Sequence, residues 1–546
     1  MRPTVIDAAA KVPPSCNRSR LLLLAMSVVG MALIGLELAS QGPTWAKPLP
    51  GDPDADDEPT SQLGDDIRLY AEVVAQTAEM ISLRYYREVS APQLLAAALT
   101  ALADAAGKKV PESWRNNPDK WFADLEPRLA LVQYRKQMGS RWAVRGRDIE
   151  ISLRGMFQVL DPHTGFISTQ DRKRMYQLEG NTLGVGITLV ERMGKGPLVI
   201  AEVDLGSPAH WAGILPGDRL WAINSRSVED LPTVEVESQL QNLMGQLGQK
   251  VSLTIESAQT GRRREMELVS EPYEIETVLG FTRKDSRQWS YWLDSEAKIG
   301  YVRVLEIQAR TSDRLEAALR DLTNQGMRGL ILDLRDCTGG VLNAAVRIAD
   351  LLLGEGPICT VRYREAAALG VGNRPGSLEQ SYTSAKEGSF LGFPLWVLIG
   401  PETRGGGELI AAALQDNRRA VLVGQRTYGK ATVQQSMPLM LPVGGHTEIK
   451  ISVGIFVRPS GKNMQRFWGH QQPEEWGVSP DRGYEMPLSS SLQERLREWR
   501  RQRDLLSGLN NQVHPLDNPK ADPVLWFALQ SLMKQLAQQA AHKTRS

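Results

Sequence analysis

Residues 395–434 place side chains that can transfer protons close to a glycine-rich turn. The segment contains, in chain order, an apolar run Leu395–Ile399, the turn Thr403-Arg404-Gly405-Gly406-Gly407, a helical stretch Glu408–Asp416, a second apolar run Ala420–Gly424, and then Lys430 and Gln434. A lysine amine takes a proton from a hydroxyl near pH 7 only if burial keeps the amine uncharged. Backbone amides at a glycine turn can stabilise an oxyanion. These residue types and their order fit the chemistry of acyl transfer.

This segment resembles the active-site region of the C-terminal processing, or tail-specific, peptidases, which are serine endopeptidases with a Ser-Lys dyad. The family pattern reads roughly Ser-Ala-Ser-Glu-Ile, an alanine-rich helix ending in Leu-Gln-Asp, and then Thr-Phe-Gly-Lys-Gly-x-Val-Gln. With Glu408 as the anchor, the family's serine falls on Gly405. The resemblance implies that Lys430 takes the place of the general base and Gln434 the place of the residue that orients it.

The nucleophile position is vacant, because Gly405 has no side chain and no acyl-enzyme can form there. An alignment shifted by one residue puts Arg404 in that place, and a guanidinium does not attack a carbonyl. Loss of a serine nucleophile lowers kcat on the order of 10⁶-fold in subtilisin, which corresponds to roughly 8 kcal/mol of barrier. We therefore expect a catalytically impaired enzyme or a pseudopeptidase that binds polypeptide tails.

Two alternatives remain open at the level of sequence. The first is an active endopeptidase that uses an unexpected nucleophile, namely Thr403, Cys337 or a water molecule activated by Lys430. Against this, Thr403 is typical of a turn before a glycine run, and Cys337 is typical of a small, partly buried loop residue. The second alternative is a scaffold that bridges partners without specificity for peptide tails.

A second motif follows the predicted strand Gly329–Arg335. The run Asp333-Leu334-Arg335-Asp336-Cys337-Thr338-Gly339-Gly340 resembles Asp-Leu-Arg-Asn-Asn-Pro-Gly-Gly of the family. The resemblance implies that Gly339 or Gly340 donates one amide to an oxyanion hole and that Gly406 donates the other. The sequence departs from the family pattern at Cys337-Thr338, where the family has Asn-Pro.

Residues 176–273 resemble a PDZ domain. The loop Leu183-Gly184-Val185-Gly186-Ile187 resembles a carboxylate-binding loop, and Ser207-Pro208-Ala209 and Ala212–Asp218 match a second family motif. Such a loop aims amides at a terminal carboxylate, while the adjacent strand edge pairs with an extended peptide. The resemblance implies C-terminal tails of polypeptides as partners. Alternating Val251, Leu253 and Ile255 predict a closing strand.

The periodicity of the remaining chain predicts a multidomain α/β protein. We expect a signal peptide or anchor at residues 1–46, a flexible linker at 47–64, a helical region at 65–175 with helices to about Gln170, a PDZ domain (β-rich with two helices) at 176–273, an α/β peptidase core of crossover βαβ units at 274–487, and a C-terminal helical tail at 488–546. His163, in Leu160-Asp161-Pro162-His163-Thr164, is expected to be a structural turn residue. Pro523 is expected to begin a tail helix.

The N-terminus predicts export. Arg18 and Arg20 precede an apolar run at Leu21–Leu36 and a plausible cleavage region at residues 42–46, which indicates a secretory signal, with an uncleaved membrane anchor as the alternative. We therefore expect the periplasm or cell envelope. A net charge of +1 gives no support for nucleic acid as a partner.

Histidine and cysteine spacing predicts no metal site, and the glycine runs lack the pattern of a phosphate loop. Lysine-based acyl transfer needs no cofactor, so we expect none. Cys337 and Cys359 follow the predicted signal, and the sequence leaves open whether they pair. It also leaves the oligomeric state open.

Overall fold

The computed structural model describes fifteen stretches of the chain: residues 62–110, 112, 116–119, 126–137, 146–167, 174–175, 177–180, 182–192, 194–283, 288–364, 378–385, 390–441, 445–467, 475–506 and 514–543. The predicted signal peptide or anchor and nearly all of the predicted linker lie outside these residues. Two compact units can be distinguished. Within the described residues, the first contains residues up to 80, residues 90–159 and residues 440–445, and the second contains residues 81–89, 160–439 and 446–543.

The first unit is helical, as the sequence predicts. Its helices are α1 (Gln62–Arg84, whose last residues belong to the second unit), α2 (Ala91–Ala105), α3 (Pro127–Lys136) and α4 (Arg147–Gln158). A capping box at Ser90 begins α2. The apolar stripes of these helices are buried, and Gly155 is required on α4 because a Cβ atom there would lie 2.5 Å from the Cβ of Ala101. A buried ion pair of 2.6 Å joins Arg135 to Asp148.

The predicted helical region is too long at its C-terminal end. Beyond α4, Gly165–Phe166 form strand β1 instead of helix, and they pair antiparallel with residues 449–450. The turn at Asp161 and Pro162 explains the change. The Asp161 carboxylate accepts the His163 amide at 2.8 Å and the Thr164 hydroxyl at 3.2 Å, which stabilises a turn in place of a further helical turn.

The PDZ region is a β-rich module with two helices, as predicted. Its elements are β2 (Leu183–Gly184), β3 (Ile187–Leu189), β4 (Leu198–Val203), α5 (Pro208–Trp211), β5 (Arg219–Ile223), β6 (Arg226–Ser227), α6 (Thr233–Met244), β7 (Lys250–Glu256), β8 (Arg263–Val269) and β9 (Glu271–Pro272). The main sheet has the order β3-β4-β5-β7-β8, with β6 on β5. The prediction that β7 closes the sheet is therefore wrong, because β8 pairs along the outer edge of β7. The alternating Val251, Leu253 and Ile255 are nevertheless buried.

Crossover units build the peptidase-like core. Its elements are β10 (Val278–Leu279), the hairpin β11 (Thr282–Arg283) and β12 (Trp289–Ser290), β13 (Trp292–Asp294), β14 (Ile299–Val304), α7 (Thr311–Asn324), β15 (Gly329–Asp333), α8 (Leu342–Leu352), β16 (Gly356–Tyr363), β17 (Glu379–Ser384), β18 (Leu395–Ile399), α9 (Gly406–Asp416), β19 (Ala420–Gly424), β20 (Thr432–Leu441) and β21 (Gly445–Val457). Strands β14, β15, β18 and β19 are parallel neighbours in that order. Every residue of β14, β15 and β18 is buried, as expected for a parallel sheet covered on both faces.

Two helices end the chain, α10 (Ser490–Leu506) and α11 (Pro523–Lys543). Helix α11 begins at the predicted proline, and its apolar stripe packs on the parallel sheet together with Ile331 and Trp396. The second unit also contains an antiparallel sheet of order β1-β21-β16-β17, with β20 on β21. Only the described ends of β20 and β21 within residues 440–445 belong to the first unit. Within the described ranges, no helix is long and apolar enough to cross a bilayer.

Candidate active site

A sharp turn between β18 and α9 forms the centre of the candidate site. Strand β18 ends at Ile399, and Thr403 then fixes the turn: its Oγ1 donates to the Leu334 carbonyl at 2.8 Å and accepts the Gly400 amide at 3.0 Å. Gly405, at the corner, has φ 52° and ψ −112°. This conformation is strained for any residue with a Cβ atom and costs about 1–3 kcal/mol. A strand-to-helix corner of this kind exposes the side chain it carries, and here that side chain is absent.

Glu408 connects this corner to the loop that carries Lys430. Its buried carboxylate accepts four hydrogen bonds: from the Thr427 hydroxyl at 2.5 Å and from the amides of Gly429 at 2.6 Å, Lys430 at 2.7 Å and Gly405 at 3.0 Å. Burial raises the pKa of Glu408 to about 7, although the four donors oppose that shift. The backbones of Gly405 and Lys430 are thus held by one carboxylate, which fixes their relative position.

The Lys430 side chain is largely withdrawn from solvent. Burial lowers the pKa of its amine to about 8, and the nearby positive charges of Lys450 and Arg174 act in the same direction, whereas Asp161 and Glu408 oppose it. Among the described residues, no hydrogen bond or ion pair to the amine is formed. With a pKa of about 8, roughly nine-tenths of the amine is protonated at pH 7.

The structure gives Gln434 contacts other than the one the resemblance implied. Its amide donates to the Thr432 hydroxyl at 2.7 Å and the Ser452 hydroxyl at 3.3 Å, and none of its hydrogen bonds in the described part of the chain goes to Lys430. The Ser452 hydroxyl in turn bonds to Asp161 Oδ1 at 3.1 Å. Gln434 therefore belongs to a polar network with Asp161 and does not orient Lys430 here.

The glycines assigned to an oxyanion hole lie next to the corner. A Cβ atom on Gly339 would lie 2.9 Å from the Arg404 carbonyl and 3.1 Å from the Gly406 amide nitrogen, so that only glycine fits. A Cβ atom on Gly340 would lie 2.0 Å from the Ile307 carbonyl. The Arg404 amide donates to the Cys337 carbonyl at 2.8 Å, which joins the two loops. Of the glycines assigned to the oxyanion hole, Gly339 thus lies directly beside Gly406, and Gly340 packs against Ile307.

The PDZ loop also has the predicted backbone. Gly184 and Gly186 have φ values of 137° and 79°, and a Cβ atom on Gly186 would lie 2.4 Å from the Ser207 hydroxyl oxygen. Val185 is buried in the PDZ core, whereas Leu183 is 43% exposed. Strand β3, which begins at Ile187, is an edge strand that pairs only with β4 among the described strands. A glycine-containing loop beside an edge strand is the arrangement that β-augmentation uses.

Comparison with known proteins identifies both domains. Residues 298–482 match the model of peptidase family S41, and residues 176–256 match the model of the PDZ domain. The chain therefore contains an S41 peptidase domain and a PDZ domain. It is 27% identical to the carboxy-terminal-processing protease of Bartonella bacilliformis over 62% of this chain and 70% of the relative. It is 32% identical to the carboxyl-terminal-processing protease of Synechocystis over 57% of this chain and 64% of the relative, so that the alignment spans just under two thirds of that protein.

A solved structure, the photosystem II D1 C-terminal processing protease, aligns with 78% of this chain and 95% of its own, at 20% identity and a TM-score of 0.38.

The alternative nucleophiles considered for this S41 domain are poorly suited to attack. Thr403 is fully buried and its hydroxyl is engaged in two hydrogen bonds. Cys337 is also fully buried, and burial raises the pKa of its thiol to about 12, so that almost no thiolate exists at pH 7. The two cysteines do not pair.

His163 is next to the S41 site, although the sequence suggested only a turn. Burial lowers the pKa of its ring to about 4, and the positive charge of Lys430 acts in the same direction. Its Nε2 is buried and has no hydrogen-bond partner among the described residues. The ring is therefore neutral near pH 7.

Sequence reasoning missed three contributions to this S41 site. Glu408 served only as an alignment anchor, and nothing in the sequence indicated that it would bind the Lys430 loop. Lys450 and Arg174 lie on distant segments and influence Lys430 through space. Long-range electrostatic contacts of this kind have no local sequence pattern. In the described part of the chain, no group of three or more His, Cys, Asp and Glu side chains could hold a metal ion.

Proposed function

We propose that this protein binds C-terminal tails of polypeptides without hydrolysing them, as a pseudopeptidase of family S41. One observation carries the proposal: Gly405 occupies the corner from which the family's serine would project. The remaining parts of the site support binding, because the glycine loop and edge strand of the PDZ domain offer a surface for an extended peptide, and the Lys430 amine and the glycine amides are hydrogen-bond donors. Most of Lys430 is protonated at pH 7 and can attract an anion, whereas its neutral fraction has no hydroxyl at residue 405 from which to take a proton.

The proposal is tested with an unfolded polypeptide that ends in an apolar tail, with new chain termini detected by mass spectrometry. We expect binding but no cleavage by the natural protein. Gly405→Ser should give detectable hydrolysis, because a Cβ atom at Gly405 meets nothing closer than the Gly339 Cα at 3.9 Å. Gly405→Ala is the matched control, since it carries the same backbone strain without a hydroxyl.

The alternative, an active endopeptidase with a non-standard nucleophile, predicts a different pattern. Cleavage by the natural protein that Lys430→Ala abolishes and Gly405→Ala leaves unchanged would establish that alternative. It would overturn the pseudopeptidase proposal.

We further propose that the protein is exported to the periplasm or cell envelope. The support is the arrangement of Arg18, Arg20 and the apolar run Leu21–Leu36, which lie outside the described residues. Cell fractionation with N-terminal sequencing tests this. A new N-terminus near residues 42–46 in the envelope fraction is expected, an intact N-terminus in the membrane fraction would indicate an anchor, and recovery in the cytoplasm would contradict export.

A further inference from the structure

The corner at Gly405 lies among unused hydrogen-bond donors. The Lys430 amine forms no hydrogen bond among the described residues. In the same described part of the chain, the backbone amides of Gly340 and Gly406 also donate none. Gly406 is the first residue of α9, an eleven-residue helix, so its amide adds the positive end of a helix dipole. Ammonium and amide donors of this kind bind anions, and the Glu408 carboxylate holds the backbones of Lys430 and Gly405 together at this corner.

Three cations act on these donors and on the adjoining His163, and one of them, Arg404, is paired with Glu402. Lys450 and Arg174 both act on Lys430 as positive charges, and Arg404 acts likewise on His163. Arg174 also forms a 2.8 Å ion pair with Glu306.

The two acidic groups nearest to Lys430 are already occupied. Glu408 accepts four hydrogen bonds, and Asp161 accepts bonds from the His163 amide and from the hydroxyls of Thr164 and Ser452. Both carboxylates still act on Lys430 as negative charges, but neither forms an ion pair with it among the described residues, so the ammonium is open to an anionic ligand.

The empty space at Gly405 fits one additional oxygen atom. In a peptidase, a substrate carbonyl places one oxygen on the oxyanion amides, and the serine hydroxyl lies beside it. A carboxylate has a second oxygen where a peptide carbonyl has a nitrogen. Because Gly405 lacks the hydroxyl and a Cβ atom there would meet nothing closer than the Gly339 Cα at 3.9 Å, the second oxygen has room at the corner.

We propose that the vacated S41 corner is a receptor for the C-terminal carboxylate of a bound polypeptide, held by the Lys430 ammonium and the amides of Gly340 and Gly406. This inference depends on the proposed function, because a hydrolytic site would cleave the tail instead of retaining its end. It adds a carboxylate site separate from the PDZ loop. An acidic side chain carries the same chemical group, so the test distinguishes the two sources.

The test is calorimetric titration of the full chain with a ten-residue apolar peptide, in a free-acid and a C-terminally amidated form. We expect two binding events per chain for the free acid. Lys430→Met should remove one event, and Leu183→Glu, an exposed change that places a negative charge in the PDZ loop, should remove the other. Lys534→Met, at an exposed lysine on α11, is the matched control and should retain both.

Two further measurements distinguish the possible outcomes. The event that Lys430→Met removes should weaken about tenfold between pH 7 and pH 9 as the ammonium loses its proton, because the pKa is about 8. The amidated peptide should lose this event. If an amidated peptide that carries an internal glutamate restores this binding event, the site recognises a side-chain carboxylate. That result would overturn the proposal.

If only one binding event occurs and only Leu183→Glu removes it, the proposed carboxylate receptor at the corner is wrong. The proposed function would then still stand. The molecular mass of the recovered peptide is measured by mass spectrometry after each titration. Shortened peptide would instead refute the proposed function.

Discussion

At the scale of single residues, Glu408 determines the geometry of this site. It is fully buried and accepts one hydroxyl and three amide hydrogen bonds, which fix the Gly405 corner against the Lys430 loop. The corner and the lysine loop thus keep a fixed relative position although residue 405 carries no side chain. A buried carboxylate whose donors are all satisfied is costly to alter, because each donor left without a partner costs about 1–3 kcal/mol.

Glu408→Gln is expected to lower the free energy of unfolding by about 2–4 kcal/mol. The glutamine NH2 group replaces one carboxylate oxygen, so two of the four donors lose their acceptor. Denaturant unfolding measures this loss. Glu498→Gln, on the surface of α10, is the control and should change the free energy by less than about 0.5 kcal/mol. Equal stability of the two variants would contradict the importance given to Glu408.

At the scale of elements, the end of α10 inserts into the PDZ core. Leu505 is 6% exposed and belongs to the same apolar cluster as Val185 and Leu253. The ring of His210, on α5, donates from Nε2 to the Leu505 carbonyl at 3.1 Å, since its Nδ1 accepts the Gly206 amide. Asp504, the preceding residue, forms a buried ion pair with Arg303 of β14. Helix α10 therefore links the PDZ domain to the parallel sheet of the S41 domain.

Leu505→Ala is expected to destabilise the protein by about 2–4 kcal/mol, because it removes a buried side chain and leaves a cavity. Limited proteolysis should then cut the PDZ domain faster. Leu247→Ala, at a PDZ leucine that is 72% exposed, is the matched control and should leave both measurements nearly unchanged. An unaltered proteolysis rate for Leu505→Ala would show that the contact with α10 does not hold the PDZ domain.

At the scale of the whole molecule, buried histidines couple stability to pH. Burial lowers the pKa of His210 to about 4 from an ordinary value of 6.5, and the positive charge of Arg283 contributes. Between pH 4 and 6.5 the unfolded chain therefore binds a proton that the folded chain does not, so stability rises with pH across this window and is lost on acidification. Glu408, with a raised pKa, has the opposite effect between about 4.5 and 7.

The contribution of His210 can be isolated by comparing variants. Between pH 7 and pH 5 the natural protein should lose about 2 kcal/mol more stability than His210→Gln, because glutamine has no proton to gain. Chemical denaturation at the two pH values gives this difference. Parallel pH profiles for the two proteins would show that His210 titrates normally in the folded state.

The order of the elements and the absence of a side chain at residue 405 follow from the amino-acid sequence alone. The length of the apolar runs predicted β14, β18 and β19 with the bounds found, because parallel strands that are buried on both faces are nearly continuous apolar runs. Gly405 is a covalent fact, and the motif spacing gave its position in the site. The preference of proline for the first turn of a helix correctly predicted that α11 begins at Pro523.

Which side chains act on one another is visible only in the folded protein. It showed that Gln434 bonds to Ser452 and not to Lys430, that Glu408 binds the lysine loop, and that Lys450 acts on Lys430 through space. It also placed Leu505 in the PDZ core. The physical reason is that these interactions join residues far apart in the chain, and their strength depends on distance and burial, neither of which a local residue pattern contains.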